Sequence, residues 1–293
     1  MRHVLLIAAI LLSIAAPSFA QEQLVVGNSY SGSVKLSSSN SGLYLALPEG
    51  NWTLASFEKT LSSGLYDSVV PMMYGRLVSI DDQKRVVGVV SFGIGNDSGR
   101  GGGGGWARPA YCFNKSLFFL HAEVQRRGDR ETKCWGITTT GMASPTATAS
   151  NYVKEFYQYV SLNGLKLPQT AIILSIYRSS GPKFLQAIYY RNPELDGFPR
   201  SGTAVWQKDV VVGDPKRLAY LEGIKAWGEQ WLPTFEAAFR GRPIGQPQAT
   251  PVTAPIPTAP ATMERQLEEL KRIYDKKLIT DDEYAERTKR ILN

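Results

Sequence analysis

Two cysteines, Cys112 and Cys134, carry the most distinctive side-chain chemistry in this chain. Joined as a disulfide they close a loop of roughly 23 residues, a crosslink worth about 3 kcal/mol. A metal or redox pair is the rival reading, but Cys-x-x-Cys spacing and a second cysteine pair are both missing. After His3 the only histidine is His121, so a histidine metal cluster is excluded and a Ser-His-Asp triad would depend wholly on it. His121 lies in the run Phe118 to Val124 and reads as a packed histidine of a strand. Ser56 with Lys59, and Ser180 with Lys183, match Ser-x-x-Lys, a spacing that chance supplies in a serine-rich chain, and the companion elements of penicillin-recognising enzymes are absent. The acid pairs Asp81 with Asp82 and Glu194 with Asp196 have the residue types of a glycosidase but read as turn acids. The run Gly99 to Gly105 lacks the Gly-Lys-Ser/Thr ending of a phosphate loop and reads as a mobile connection. No catalytic residue, metal or cofactor is therefore assigned.

The formal charge is +7 over 293 residues. Arg2 supplies one unit, and the last thirty residues balance eight basic against eight acidic side chains. Six positive charges thus remain on residues 21 to 243. Such an excess suits an anionic lipid or polysaccharide partner as well as simple solubility. Without a dense Lys/Arg run, nucleic acid is not an expected partner.

These groups must be positioned by the elements around them. Residues 1–20 read as a signal peptide: a short positive start, apolar residues from Val4 to Ala16, then Ser18 and Ala20 before Gln21. Cleavage near Ala20 and Gln21 would deliver a periplasmic or secreted protein, the setting in which disulfides persist. From residue 21 to 240 the patterning predicts one α+β domain. β-Branched and aromatic runs predict strands at Gly42 to Leu47, Trp52 to Phe57, Val69 to Ile80, Val86 to Ile94, Ser116 to Gln125 and Thr132 to Thr139. Asp81 to Arg85 suits a hairpin turn, and Gly128 with Asp129 a second one. Two more strands are expected at Thr170 to Tyr177 and Phe184 to Tyr190. Val153, Phe156, Tyr157 and Val160 fall at helical spacing, with Asn151 as cap and Gly164 as terminator. Asp214 and Pro215 open a second helix that runs through Trp227, Trp231 and Phe235, with Pro233 as an expected kink or break. The fold class is thus a mainly antiparallel sheet with two packed helices.

Residues 241–262 then become rich in Pro, Thr and Ala, the composition of an extended linker. Residues 263–293 turn to dense mixed charge with helical periodicity. Leu267, Leu270 and Tyr274 share one face of a first helix, while Thr280 and Glu283 form a capping box that starts a second. Tyr284, Ile291 and Leu292 continue its apolar side, and Lys277, Leu278 and Ile279 join the pair.

The stretch from Leu267 to Leu292 resembles the short C-terminal module called SHOCT. Its Leu-x-x-Leu pattern, Ile-Thr step and Glu-Tyr pair are matched by Leu267, Leu270, Tyr274, Ile279, Thr280, Glu283, Tyr284 and Leu292, with Lys277 where the family usually has glycine. The resemblance implies a bacterial source and a role in oligomerisation or partner binding. Thirty residues bury too little apolar area to stand alone, so the hairpin must meet another copy, the main domain or a different protein. The expected protein is an exported, non-enzymatic envelope protein that binds or assembles. The alternatives are a hydrolase of cell-wall glycan or lipid and a binder of anionic lipid or polysaccharide.

Overall fold

The computed structural model describes residues 24–36, 42–63, 69–96, 109–114, 117–124, 131–181, 183–243, 263–275 and 280–292. The expected signal peptide, the glycine run, the turn at Gly128, linker residues 244–262 and Ile279 lie outside this set.

The described residues form ten strands: β1 (Ser29–Tyr30), β2 (Ser33–Lys35), β3 (Tyr44–Ala46), β4 (Trp52–Ser63), β5 (Val69–Ile80), β6 (Val86–Asn96), β7 (Phe119–Val124), β8 (Glu131–Gly141), β9 (Thr170–Ser180) and β10 (Lys183–Arg191). Eight of them make one antiparallel sheet in the order β1-β4-β5-β6-β10-β9-β8-β7, and β2 pairs with β3 in a small second sheet. Helices are α1 (Asn151–Leu162), α2 (Lys208–Val212), α3 (Pro215–Phe239), α4 (Met263–Asp275) and α5 (Asp281–Leu292). The α+β class with a mainly antiparallel sheet is as the patterning predicts, while α2 was not anticipated. None of these helices is long and apolar enough to cross a membrane.

Strand alternation sorts side chains to two faces. Val90, Phe92, Leu174, Ile176, Leu185 and Ala187 point to one face, where α3 packs on them with Leu218, Leu221, Ile224, Trp231 and Phe235. Asp214 caps α3, its carboxylate accepting the backbone N–H of Arg217 at 3.0 Å, and Pro215 sits where a missing N–H costs nothing. The helix comes close to the sheet because Gly228 has no Cβ, and one placed there would lie 2.9 Å from the Trp135 ring. The expected break at Pro233 does not occur, and α3 is continuous to Phe239. Burial of Trp231, Phe235, Ala238 and Phe239 on both sides offsets the lost backbone hydrogen bond.

The neighbouring positions Ala55, Val78, Val89 and Ala171 point to the other face, under Phe156 and Val160 of α1. Ser150, not Asn151, is the cap residue of α1, and Gly164 takes a left-handed φ of +63° just past its end. Farther along this face Met72, Tyr177 and Phe184 surround the Cys112–Cys134 disulfide. It ties the short turn Ala110–Phe113 to β8, with Cα atoms 5.8 Å apart, rather than joining two neighbouring strands. Such a bond fits a compartment outside the cytoplasm.

Candidate functional site

The residues singled out in the C-terminal hairpin meet one another and the main domain. The Tyr274 and Tyr284 rings stack with centroids 4.5 Å apart, and Tyr274 Oη donates to Asp281 Oδ1 at 2.8 Å. Thr280 N–H donates to Glu283 Oε2 at 2.8 Å while Glu283 N–H donates to Thr280 Oγ1 at 3.3 Å, the reciprocal pair of a capping box. Leu267 is half-buried, and Leu270 is 4% exposed within the main core, with Tyr274 and Tyr284 packed against it. Ile291 and Leu292 fall in the last turn of α5. Arg272 Nη1 reaches Glu222 Oε2 on α3 at 2.9 Å, where the Glu222 side chain is only 10% exposed. Glu222 also lines a small apolar recess with Phe118, Phe119, Val211 and Leu221. Sequence reading missed this ion pair, because Arg272 and Glu222 belong to segments with no local relation.

A second cluster lies near the C-terminal end of α3. A cleft of about 140 Å³ is lined by Glu123, Glu131, Lys133, Arg178, Glu236 and Arg240. Arg178 is the buried centre: its Nη2 donates to Glu131 Oε2 at 2.9 Å, its Nε lies 3.4 Å from Glu236 Oε2, and its guanidinium faces the Phe239 ring. Hydrogen bonds from Arg178 and Ser180 hold the Glu131 carboxyl below the usual range, so it is fitted to stay ionised rather than to donate a proton. His121, on the edge strand β7, is exposed rather than packed as expected, and its Nε2 lies 3.1 Å from Glu123 Oε1. An edge strand leaves a side chain without a covering layer. This balanced set of charges can hold a small ionic ligand or water.

A second buried arginine lies under α1. Arg76 of β5 is 9% exposed and faces the rings of Phe156, Tyr190 and Tyr152 at 5.0, 5.6 and 5.8 Å. Burial pushes the Tyr157 and Tyr190 hydroxyls above their ordinary range, and Arg76 opposes the shift in both. No carboxylate pairs with Arg76 among the described residues. The signal for both arginines was present in the chain, as a charged residue at a core-facing position of an apolar strand.

Of the remaining candidates, Ser180 and Lys183 are cross-strand partners of β9 and β10, with Ser180 Oγ donating to Glu131 Oε1 at 2.9 Å, whereas Ser56 and Lys59 are not brought together. Ser56 is 1% exposed on the α1 face, whereas Lys59 is exposed, three residues along the strand and so on the opposite side. Asp81 serves its turn, accepting the N–H groups of Gln83 and Arg85 at 2.9 Å each. Glu194 accepts from Gln169 N–H at 2.8 Å and pairs with Arg200, while Asp196 binds Arg191 and Tyr220. These acids are structural, each held by a cation or backbone donor. Among the described residues no group of three potential metal ligands occurs.

The class that the fold defines is a two-faced antiparallel α+β domain carrying a helical hairpin on its long helix. No family model, curated protein or solved structure matches the chain.

Proposed function

We propose that this chain is an exported bacterial envelope protein without catalytic activity, whose α+β domain binds and whose SHOCT-like hairpin supplies the contact for assembly or partner docking. The observation that carries this reading is Leu270 of α4, buried in the main core while Arg272 of the same helix meets Glu222. A hairpin too small to fold alone is thus held on the main domain by an apolar and an ionic contact, the two kinds of contact by which it would also meet a partner. The signal-like residues 1–20 and the Cys112–Cys134 disulfide support export to the periplasm or beyond.

A second reading, hydrolysis of cell-wall glycan or lipid, is favoured by Glu131 and Glu236 meeting at Arg178 beside the cleft. The lowered Glu131 opposes a general-acid role, and binding of a small charged group suits the cleft better.

The test expresses the full chain in a Gram-negative host and recovers it by periplasmic release, with Gln21 expected as the new N-terminus. Light scattering and co-purification then compare the intact protein with a chain ending at Arg242. Assemblies or bound partners present in the first and lost in the second are expected. Identical behaviour with nothing bound in either would overturn the reading.

A further inference from the structure

Beside α1 lies a groove that neither the hairpin nor the Arg178 cluster uses. We infer that it takes a single-chain amphiphile with an anionic head, a monomer of the fatty-acid kind, as the ligand of the α+β domain. This rests on the proposed binding role of that domain and names the class of what is bound.

The groove forms where the segment after β8 meets α1 and the connection from α1 to β9. Its volume is about 560 Å³, in the range that receives a drug-sized ligand, and so one acyl chain rather than the two of a bilayer lipid. Met142, Val160 and Pro168 line it as buried residues, and Leu165 and Leu167 as half-buried ones. Its walls are held by the chain itself. Leu165 N–H donates to Val160 O at 2.9 Å, Met142 N–H to Gln169 O at 3.0 Å, and Arg200 Nη1 to Leu167 O at 3.1 Å. Lys166 is pinned too, its N–H donating to Lys84 O at 2.8 Å and its carbonyl accepting from Val86 N–H at 2.9 Å. A groove fixed in this way loses little freedom when a ligand enters, so apolar burial in it is retained as affinity.

Charge selects the head. Two cations, Lys166 and Arg200, line the groove, and none of its lining residues is acidic. The acids of the adjoining segments are taken, Asp81 by Arg85 and Glu194 by Arg200. Arg200 is thus committed to Glu194 and to Leu167 O, whereas Lys166 is exposed and, among the described residues, has no ion pair. With the Ser161 hydroxyl, which also lines the groove, it supplies donors for a carboxylate or phosphate. A cationic head would meet only like charge. An apolar peptide would bring backbone N–H and C=O groups that walls of Met, Val, Leu and Pro leave unpaired, which an acyl chain does not.

Isothermal titration calorimetry on the delipidated mature chain, full length, tests this with hexanoate, dodecanoate, dodecyltrimethylammonium and vesicles of anionic phospholipid. Dodecanoate is expected to bind, with affinity rising about twofold for each methylene beyond hexanoate, since an open groove covers roughly half of each added group. Its affinity should fall as salt is added. Lys166→Gln should weaken it about fivefold. Ser161→Trp, which fills the groove from an exposed position of α1, should abolish it. Lys154→Gln, at an exposed position of the same helix outside the groove, should change nothing. Equal midpoints in urea unfolding keep loss of binding separate from loss of fold. Equal binding of the ammonium amphiphile, or indifference to Lys166→Gln, would overturn the anionic head, and binding that survives Ser161→Trp would overturn the groove. Binding to vesicles without binding of the monomer would overturn the ligand in favour of a membrane surface. A wild type that binds none of these probes would overturn the ligand class, whereas the binding role of the domain is read independently by co-purification.

Discussion

The two faces of the central sheet each bury an arginine, and they do so in opposite ways. Under α3, Arg178 is held between Glu131 and Glu236 beside a polar cleft. Under α1, Arg76 is surrounded by aromatic rings and has no paired carboxylate among the described residues. The first arrangement makes the cation necessary, because two carboxylates depend on it. In the second, ring faces and tyrosine hydroxyls surround the desolvated charge, so an apolar side chain could replace it. Burial of a charge therefore teaches little by itself, and what matters is what would be left behind on removing it.

The largest effect expected concerns the α1 face. Replacing both Cys112 and Cys134 by Ala should lower stability in urea unfolding by about 3 kcal/mol, since the crosslink restrains the unfolded chain. A loss below about 1 kcal/mol would mean that Met72, Tyr177 and Phe184 hold that end unaided.

Next, the arginines can be compared directly by substitution with Met. Arg178→Met should cost about 2 kcal/mol by leaving Glu131 and Glu236 without their cation. Glu131 has a lowered folded-state pKa, so its contribution is present above the unfolded carboxylate value of about 4 and is lost as pH falls through the folded one. The gap between wild type and Arg178→Met should accordingly close in acid. Arg76→Met should change stability by less than about 1 kcal/mol in either direction. Equal costs for the two would break the distinction between the faces.

The smallest effect is confined to alkaline solution. Burial raises the Tyr177 hydroxyl from 10.0 to about 12. Its stabilisation is complete below the unfolded value and is lost as pH rises toward the folded one. Tyr177→Phe should flatten the stability profile over that window, measured by unfolding at a series of pH values. Several tyrosines of the wild type should ionise late in an absorbance titration, since burial raises Tyr157, Tyr189, Tyr190 and Tyr220 as well, and Tyr177→Phe should remove one of them.

Much of this fold was legible residue by residue. Strand β5 spans Val69–Ile80 as its run of β-branched and apolar residues predicts, and Asp214 with Pro215 marks the start of α3. Both signals are local, being a period of two and a cap. Pro233 raises the expectation of a kink or break because the cost of a proline is local, whereas the burial of Trp231 and Phe235 that keeps α3 continuous is tertiary. His121 was misread for the same reason, since a strand pattern does not say whether the strand lies at an edge. The hairpin's capping box could be read from Thr280 and Glu283, but its partner on α3 could not.

What the sequence determined by itself is the set of elements and their sidedness, because backbone periodicity, caps and turns act over a few residues. Only the tertiary structure decided which strands became neighbours. Placing β6 beside β10 and β9 beside β8 gave the two faces, and with them carboxylates for Arg178 and rings for Arg76. Glu222 and Arg272 were likewise brought together across fifty positions of chain. Such pairings arise from burial of apolar area across the whole domain, a sum over distant residues that no local pattern contains.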